Sequence, residues 1–140
     1  MTAWESWRAD IGRPLAPVEA AAHAELVRTM REQREAELAR ARAEAQQRAT
    51  QIWTDAAVDA GTHPYLVRKG VKPHGVRLNK IALVIPMRDA AGTLHSLQTI
   101  APDGCKRWLS AGKVKGCYHA LGKPSVPCAR LIICEGYATG

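Results

Sequence analysis

The chain has 140 residues, enough for one ordinary domain with an appended helix, and its formal net charge is +7. No apolar run is long enough to span a bilayer and no secretory pattern follows Met1, so we predict a cytoplasmic protein without a membrane partner. The charge is uneven, −2 over residues 1–60 and +9 over residues 61–140. The basic second half indicates a polyanionic partner, and nucleic acid is favoured over ribosomal association or plain solubility.

The four cysteines are irregularly spaced, at Cys105, Cys117, Cys128 and Cys134. They form no Cys-x-x-Cys pair and have no histidine at zinc-finger spacing, so we expect no structural zinc. A disulfide framework does not suit a cytoplasmic location either. Reduced, mostly structural thiols are the prediction.

A long charged helix is predicted for residues 18–60, after an N-terminal segment at residues 1–17. Almost every residue of this stretch is a good helix former, and neither glycine nor proline interrupts it. Leu38, Ala45 and Ile52 recur every seven residues and give a narrow apolar seam. The seam fits either a coiled-coil dimer or a helix that docks on its own domain by its C-terminal third. Docking is favoured because the seam is short and rich in alanine.

Residues 61–129 predict a small basic subdomain. Thr62 is the expected N-cap of a short helix through HPYLVRK that closes at Gly70, and a basic loop follows at residues 72–80. Turn residues then separate three short stretches, which predicts an antiparallel meander with strands at residues 81–87, 93–100 and 105–109. The run CYHAL predicts one further short strand.

The last eleven residues read RLIICEGYATG. Residues 131–134 are β-branched or apolar, which is typical of a strand buried on both faces. The strand leads into Glu135 and Gly136. A carboxylate at the C-terminal end of a buried parallel strand lies where open α/β sheets bind ligands. A strand that ends in a solvated glutamate is an equally good interpretation of these residues alone.

Three stretches occur in an order that resembles a known family: IALVIPMRDAAGTL, KRWLSAGKVKGCYHALGK and LIICEGYATG. Together they resemble the catalytic core of bacterial-type DNA primases, and the primases of conjugative plasmids and phages most of all. The resemblance covers residues 53–140. It implies an α+β fold class, with the long N-terminal helix, a small basic antiparallel-sheet subdomain and, at residues 130–140, the first strand of a Toprim α/β fold.

The resemblance implies a role for Glu135, which matches the catalytic acidic residue and metal ligand of the family. Primer synthesis in that family uses Mg²⁺ or Mn²⁺, which an oxygen shell of carboxylates, water and phosphates would hold. Toprim enzymes also need an Asp-x-Asp pair, and the chain contains none. The zinc module that commonly precedes the core is absent as well. We therefore expect the N-terminal portion of a primase core, inactive by itself.

The predicted nucleic-acid-binding residues are two aromatics among cations: Arg107, Trp108, Lys113, Lys115 and Tyr118. In the family this region lines the groove for template and nucleotide, although Trp108 stands where tyrosine is usual. Aromatic rings among cations are typical of surfaces that stack the bases of single-stranded DNA. Strand alternation puts Arg107 and Trp108 on opposite faces, and burial of Trp108 in the meander core is the favoured alternative.

Two function classes remain open. The first is part of an enzyme, the N-terminal portion of a primase catalytic core that synthesises RNA primers on single-stranded DNA. The second is a non-catalytic module that binds single strands and recruits a partner, such as a replicative helicase, through the long helix. A Toprim nuclease or topoisomerase is a weaker third, because those proteins lack the upstream primase-like stretches.

Overall fold

A computed structural model describes residues 16–122 and 130–139. The elements in chain order are α1 (Pro17–Asp55), α2 (Pro64–Lys69), β1 (Arg77–Asn79), β2 (Ala82–Arg88), β3 (Leu94–Ile100), β4 (Lys106–Trp108) and a short 3₁₀ helix (Tyr137–Thr139). The chain divides into two compact units, Met1–Glu37 and Leu38–Gly140, and the sheet belongs to the second. The predicted segment before residue 16, most of the connector at residues 123–129 and Gly140 lie outside the described residues. Among the described residues 16–122 and 130–139, no helix has the length and apolar character to cross a membrane.

The four strands form one antiparallel sheet in the order β1-β2-β3-β4, which confirms the predicted meander and the α+β class. Strands β2 and β3 pair from Leu83, opposite Ile100, to Arg88, opposite Leu94, and the register shifts between Met87 and Arg88. The Asp89 carboxylate closes the turn between them, because it accepts hydrogen bonds from the backbone N–H groups of Ala91 and Thr93 at 3.0 and 2.9 Å. Strand β4 corresponds to the predicted third strand and lies at the edge of the sheet.

The structure corrects two boundaries near the start of the sheet. Helix α1 ends at Asp55, five residues before the predicted end, because Ala57 exchanges two backbone hydrogen bonds with Leu78. Leu78 lies in strand β1, which pairs with the start of β2 at Ala82–Val84, where the sequence predicts only a basic loop. The bridge to Ala57 accounts for the end of the helix, whereas the local pairing with β2 accounts for strand β1.

Helix α1 covers one face of the sheet with its C-terminal part. Ala49 is fully buried against Val84, Leu94 and Leu97, and Ile52, Trp53 and Leu109 complete this cluster. The small alanine side chain lets the helix backbone approach the strands closely. Docking by the C-terminal third of the helix is therefore confirmed.

The other face of the sheet is covered by α2 and by the 3₁₀ helix. A cluster of buried side chains comprises Ala60, Tyr65, Leu66, Val76, Leu83, Ile85 and Ile100, and Tyr137 and Ala138 pack against it. The short helix is confirmed, but its N-cap is His63 and not Thr62. The His63 Nδ1 atom accepts from the Tyr65 N–H, and its Nε2–H donates to the Ile81 carbonyl at 3.1 Å, so the imidazole joins the helix to the sheet.

Two further strands predicted from the sequence are not formed. Within CYHAL, only Tyr118 pairs, through an isolated bridge to Arg88. Residues 131–134 belong to no strand, and Leu131, Ile132 and Ile133 are 72–86% exposed. A strand buried on both faces needs paired neighbours and a cover on each side, and the described part of the chain places none beside this segment.

The packing of Ala49 yields a first prediction. Replacing Ala49 with Glu puts an unpaired carboxylate between helix and sheet, and we expect the free energy of unfolding to fall by at least about 3 kcal/mol. Ala43→Glu is the matched control, because Ala43 is exposed on the same helix and its change should stay within about 0.5 kcal/mol. Urea unfolding followed by circular dichroism measures the free energy of unfolding of both variants. Sedimentation of the wild-type chain should show a monomer. Equal losses in the two variants, or a dimer that Leu38→Glu dissociates, would contradict docking.

Candidate nucleic-acid interface

Edge strand β4 presents its three side chains to solvent on alternating faces of the sheet. Lys106 lies opposite Ile100 and Trp108 opposite Gln98, both on the face that α2 covers, whereas Arg107 lies opposite Thr99 on the α1 face. Trp108 is 50% exposed, so the favoured core position for it is wrong. Arg107 and Trp108 are consequently available to solvent but cannot contribute to a single groove on one face.

The loop between β4 and Tyr118 is anchored at both ends. At its start Gly112 lies directly on the side chain of Ser96, where an added Cβ would come within 2.8 Å of the Ser96 Cβ. At its end Tyr118 and Arg88 exchange backbone hydrogen bonds of 2.8 and 3.0 Å. The loop therefore crosses from the β4 edge of the sheet to the part of β2 that extends beyond β1, and this unpaired side of β2 near Arg88 is called the free side of β2.

The two predicted lysines lie between these anchors, with Lys113 half-buried and Lys115 exposed. Tyr118 is 51% exposed beside the free side of β2, while Trp108 lies on β4. Three strand spacings of about 4.8 Å separate the two backbones, roughly 14 Å in all. The structure therefore places the predicted aromatics at two separate positions and not in one stacking groove.

Tyr137 fixes the segment that carries Glu135. Its hydroxyl accepts a hydrogen bond from the His74 N–H at 2.6 Å and donates one to the Lys72 carbonyl at 2.8 Å. Its ring packs against the α2-side core and lies 5.7 Å from the ring of His119. Glu135 itself is exposed. An aromatic anchor two residues further along the chain thus holds the Glu135–Gly136 turn on the domain.

Gly136 opens onto a cleft of about 400 Å³ whose walls carry three cations. Arg68 and Lys69 come from the last turn of α2, and Lys106 comes from β4. A Cβ added to Gly136 would lie 3.4 Å from the Lys106 Nζ atom, so the ammonium group reaches the turn directly. Asp103 is the single acidic residue among the lining side chains.

Sequence reasoning missed this group of three cations because it combines two separate segments, the end of α2 and strand β4. The helix C-terminus explains Arg68 and Lys69 by itself, since basic residues there interact favourably with the helix dipole. The signal for Lys106 was available, because strand alternation places it on the face of Trp108 and away from Arg107. That Arg68, Lys69 and Lys106 line one cleft beside Gly136 is visible only in the structure.

Burial shifts the pKa of two groups beside this segment. Burial lowers the pKa of His119 below 6.5, with a smaller contribution from Arg88, although its Nε2–H donates to the His74 carbonyl at 2.9 Å. Burial also raises the pKa of Tyr137 above 10.0. His119 is therefore neutral at pH 7, and Tyr137 remains a hydrogen-bond donor.

The described residues by themselves do not fit a metal site. Within residues 16–122 and 130–139, no group of three Asp, Glu, His or Cys side chains is arranged to hold a metal ion. Mg²⁺ prefers an octahedral oxygen shell, of which Glu135 supplies one carboxylate.

Comparison with curated proteins relates the chain to DNA primases. Two relatives, both DNA primase TraC of Escherichia coli, are 38% identical to it over 81 residues. That stretch covers 54% of the chain but only 6% and 8% of the two relatives, so the chain spans less than a tenth of their length. No family model and no solved structure matches the sequence.

The half-buried imidazole of His119 gives a prediction for pH. Between its lowered folded pKa and the unfolded value of 6.5, the unfolded state binds more protons at His119. The free energy of unfolding should therefore decrease as the pH falls from 7.5 through 6.5 to 5.5. His119→Gln retains a donor for the His74 carbonyl without titrating, so part of the decrease should disappear. Urea titrations at each pH measure this, with the exposed His23→Gln as control. An unchanged pH profile in His119→Gln would contradict the assignment.

Proposed function

We propose that these residues are the N-terminal portion of a DNA primase catalytic core, which holds single-stranded DNA beside the first acidic residue of the catalytic centre. In this proposal Glu135 is that acidic residue, and the template strand contacts the basic surface of the second unit. The single observation that carries the proposal is the cleft that Arg68, Lys69 and Lys106 line together with Gly136, the residue that follows Glu135. The identity to DNA primase TraC supports the same function.

The chemistry of the cleft suits a nucleic-acid backbone. Its ammonium and guanidinium groups attract phosphates, and each contact releases counterions from the polyanion. Gly136 leaves room at the turn, and because the Thr139 hydroxyl donates to the Gly136 carbonyl at 2.7 Å, the phosphate contacts come from the three cations. Phosphate contacts position a strand without reading its sequence, as a primase template site requires. The cleft would hold the template strand next to Glu135.

The position of Glu135 defines its proposed role. The residue is exposed on a turn that Tyr137 anchors, so its carboxylate can meet groups that approach from outside the described residues. We propose that the remainder of a Toprim domain, including an Asp-x-Asp pair, completes the centre and its Mg²⁺ or Mn²⁺ site. Recruitment of a helicase by the exposed part of α1 belongs to the alternative, in which the chain is a binding module alone.

Binding to single-stranded DNA tests the proposal. We expect measurable affinity for a short oligonucleotide at low salt, a steep decrease towards physiological salt, and little preference for sequence. Changing Arg68, Lys69 and Lys106 together to Gln should lower the affinity and reduce the slope of log K against log salt by about one for each lost phosphate contact. Changing Arg107 on β4 and the loop residues Lys113 and Lys115 to Ala should also reduce the affinity and the salt slope, because these cations can contact other phosphates of the strand. Fluorescence anisotropy across a salt series measures them.

The helix supplies the matched control for these triple variants. Arg34, Arg40 and Arg42 belong to a stretch with negative net charge, and Arg40 already pairs with Glu44 at 3.1 Å. Replacing these three with Ala should leave the affinity and the salt slope nearly unchanged. If this triple lowers the affinity as much as the cleft triple, the cleft is not the binding surface.

An activity assay tests whether these residues suffice for catalysis. Incubated with single-stranded template, ribonucleotides and Mg²⁺ or Mn²⁺, the 140 residues should make no primers, because one carboxylate cannot assemble the metal centre alone. Gel analysis of labelled products measures this. Primers made by the chain and lost in Glu135→Gln would show that these residues suffice for catalysis.

A further inference from the structure

A second cleft, of about 320 Å³, lies beside the free side of β2 and has a different composition from the first. Its lining includes Trp53 from the end of α1, Pro86 and Arg88 from β2, and Tyr118 and His119 from the end of the loop. All of these residues belong to the second compact unit. The cleft therefore combines the aromatic side chains of Trp53 and Tyr118 with the guanidinium of Arg88, and the backbones of Tyr118 and Arg88 are paired with each other.

Tyr118 offers a half-exposed aromatic side chain on a fixed backbone. Its backbone N–H and C=O both bond to Arg88, at 2.8 and 3.0 Å, so the residue is joined to the end of a central strand. Its side chain remains 51% exposed. A half-exposed ring on a fixed backbone can accept a flat partner, and little backbone freedom is lost on binding.

Arg88 is positioned beside Tyr118 by two further contacts. Its guanidinium lies 5.8 Å from the centre of the Trp53 ring, within the range of a cation–π interaction, and donates to the Gly92 carbonyl at 2.9 Å. Arg77 lies closer to the same indole, at 4.5 Å, and donates to the Trp53 carbonyl at 2.6 Å. Trp53 therefore holds two cations in place and leaves Tyr118 as the ring available for stacking.

The acidic residue of this cleft is already engaged. Asp89 accepts hydrogen bonds from two backbone N–H groups of its turn and pairs with His95 at 2.8 Å. These bonds, that of His95 first, lower the pKa of Asp89 below 3.8. Its carboxylate is directed into the turn, so its charge is partly compensated before any phosphate approaches Arg88.

We propose that this cleft binds one unstacked base of a single strand, with the base on the Tyr118 ring and a neighbouring phosphate at Arg88. The inference rests on the proposed function, since it assigns the first base contact along the same strand. Lys115 precedes Tyr118 by three residues, so a strand that follows the loop cations reaches this ring next. Aromatic stacking accepts any base, which agrees with binding that has little sequence preference.

The experiment compares two oligonucleotides of equal length and charge. One is oligo(dT), and the other carries abasic sites throughout, so that it has the phosphates without the bases. The wild-type chain should bind oligo(dT) more tightly than the abasic strand. Tyr118→Ala should lower the affinity for oligo(dT) by about 5- to 150-fold and leave the abasic strand nearly unaffected. The salt slope should not change, because no cation is removed.

Three further variants make the result specific to the ring. Tyr118→Phe keeps the ring and should retain the affinity for oligo(dT). Tyr118→Leu keeps the bulk without the ring and should lose as much as Tyr118→Ala, which secures the test if the alanine variant does not fold. Leu121→Ala removes a 46% exposed apolar side chain outside the cleft and should change neither affinity.

The outcomes separate the two proposals. Salt-dependent binding of both strands, with no loss for oligo(dT) in Tyr118→Ala and Tyr118→Leu, overturns the base site and leaves the proposed function in place. Equal losses for the two strands also overturn it, because the ring would then act through the fold or the backbone contacts. Failure of the wild-type chain to bind either strand at low salt overturns both proposals.

Discussion

Strands β2 and β3 form the core on which the other elements depend, because both faces of this pair are apolar and must be covered. The C-terminal part of α1 covers one face through the close approach of Ala49, and α2 with the anchored Tyr137 covers the other. These covers leave the β4 edge of the sheet and the loop that ends at Tyr118 accessible to solvent. Arg107 and Trp108 lie at this edge and Tyr118 lies at the end of the loop, where an extended strand can reach them.

The elements with strong local signals could be predicted from the sequence. Turn residues around Asp89 and Asp103 delimit the meander, and the alanine-rich seam identifies the part of α1 that docks. Strand β1 was not predicted, because its three residues belong to a basic stretch with proline and glycine and form a strand by pairing with the start of β2. The end of helix α1 at Asp55 depends on the bridge between Ala57 and Leu78, more than twenty residues apart, and no residue near Asp55 indicates it.

The candidate site was predictable in its residue types more than in its arrangement. Alternation along β4 separates Arg107 from Trp108, as the sequence indicates, but nothing local shows that Lys106 faces the Glu135–Gly136 turn. The apolar run at residues 131–134 has the composition of a buried strand without a paired neighbour among the described residues. Composition states a preference for a strand, whereas formation of that strand requires partners.

The contact between Gly112 and Ser96 has an entropic consequence for the lysines that follow. Because no Cβ fits at Gly112 and Tyr118 is bonded to Arg88, Lys113 and Lys115 lie on a short tether with two fixed ends. A loop closed in this way has fewer conformations to lose when phosphates arrive. The backbone ordering that an open, glycine-rich loop would undergo during association has largely taken place when the domain folds.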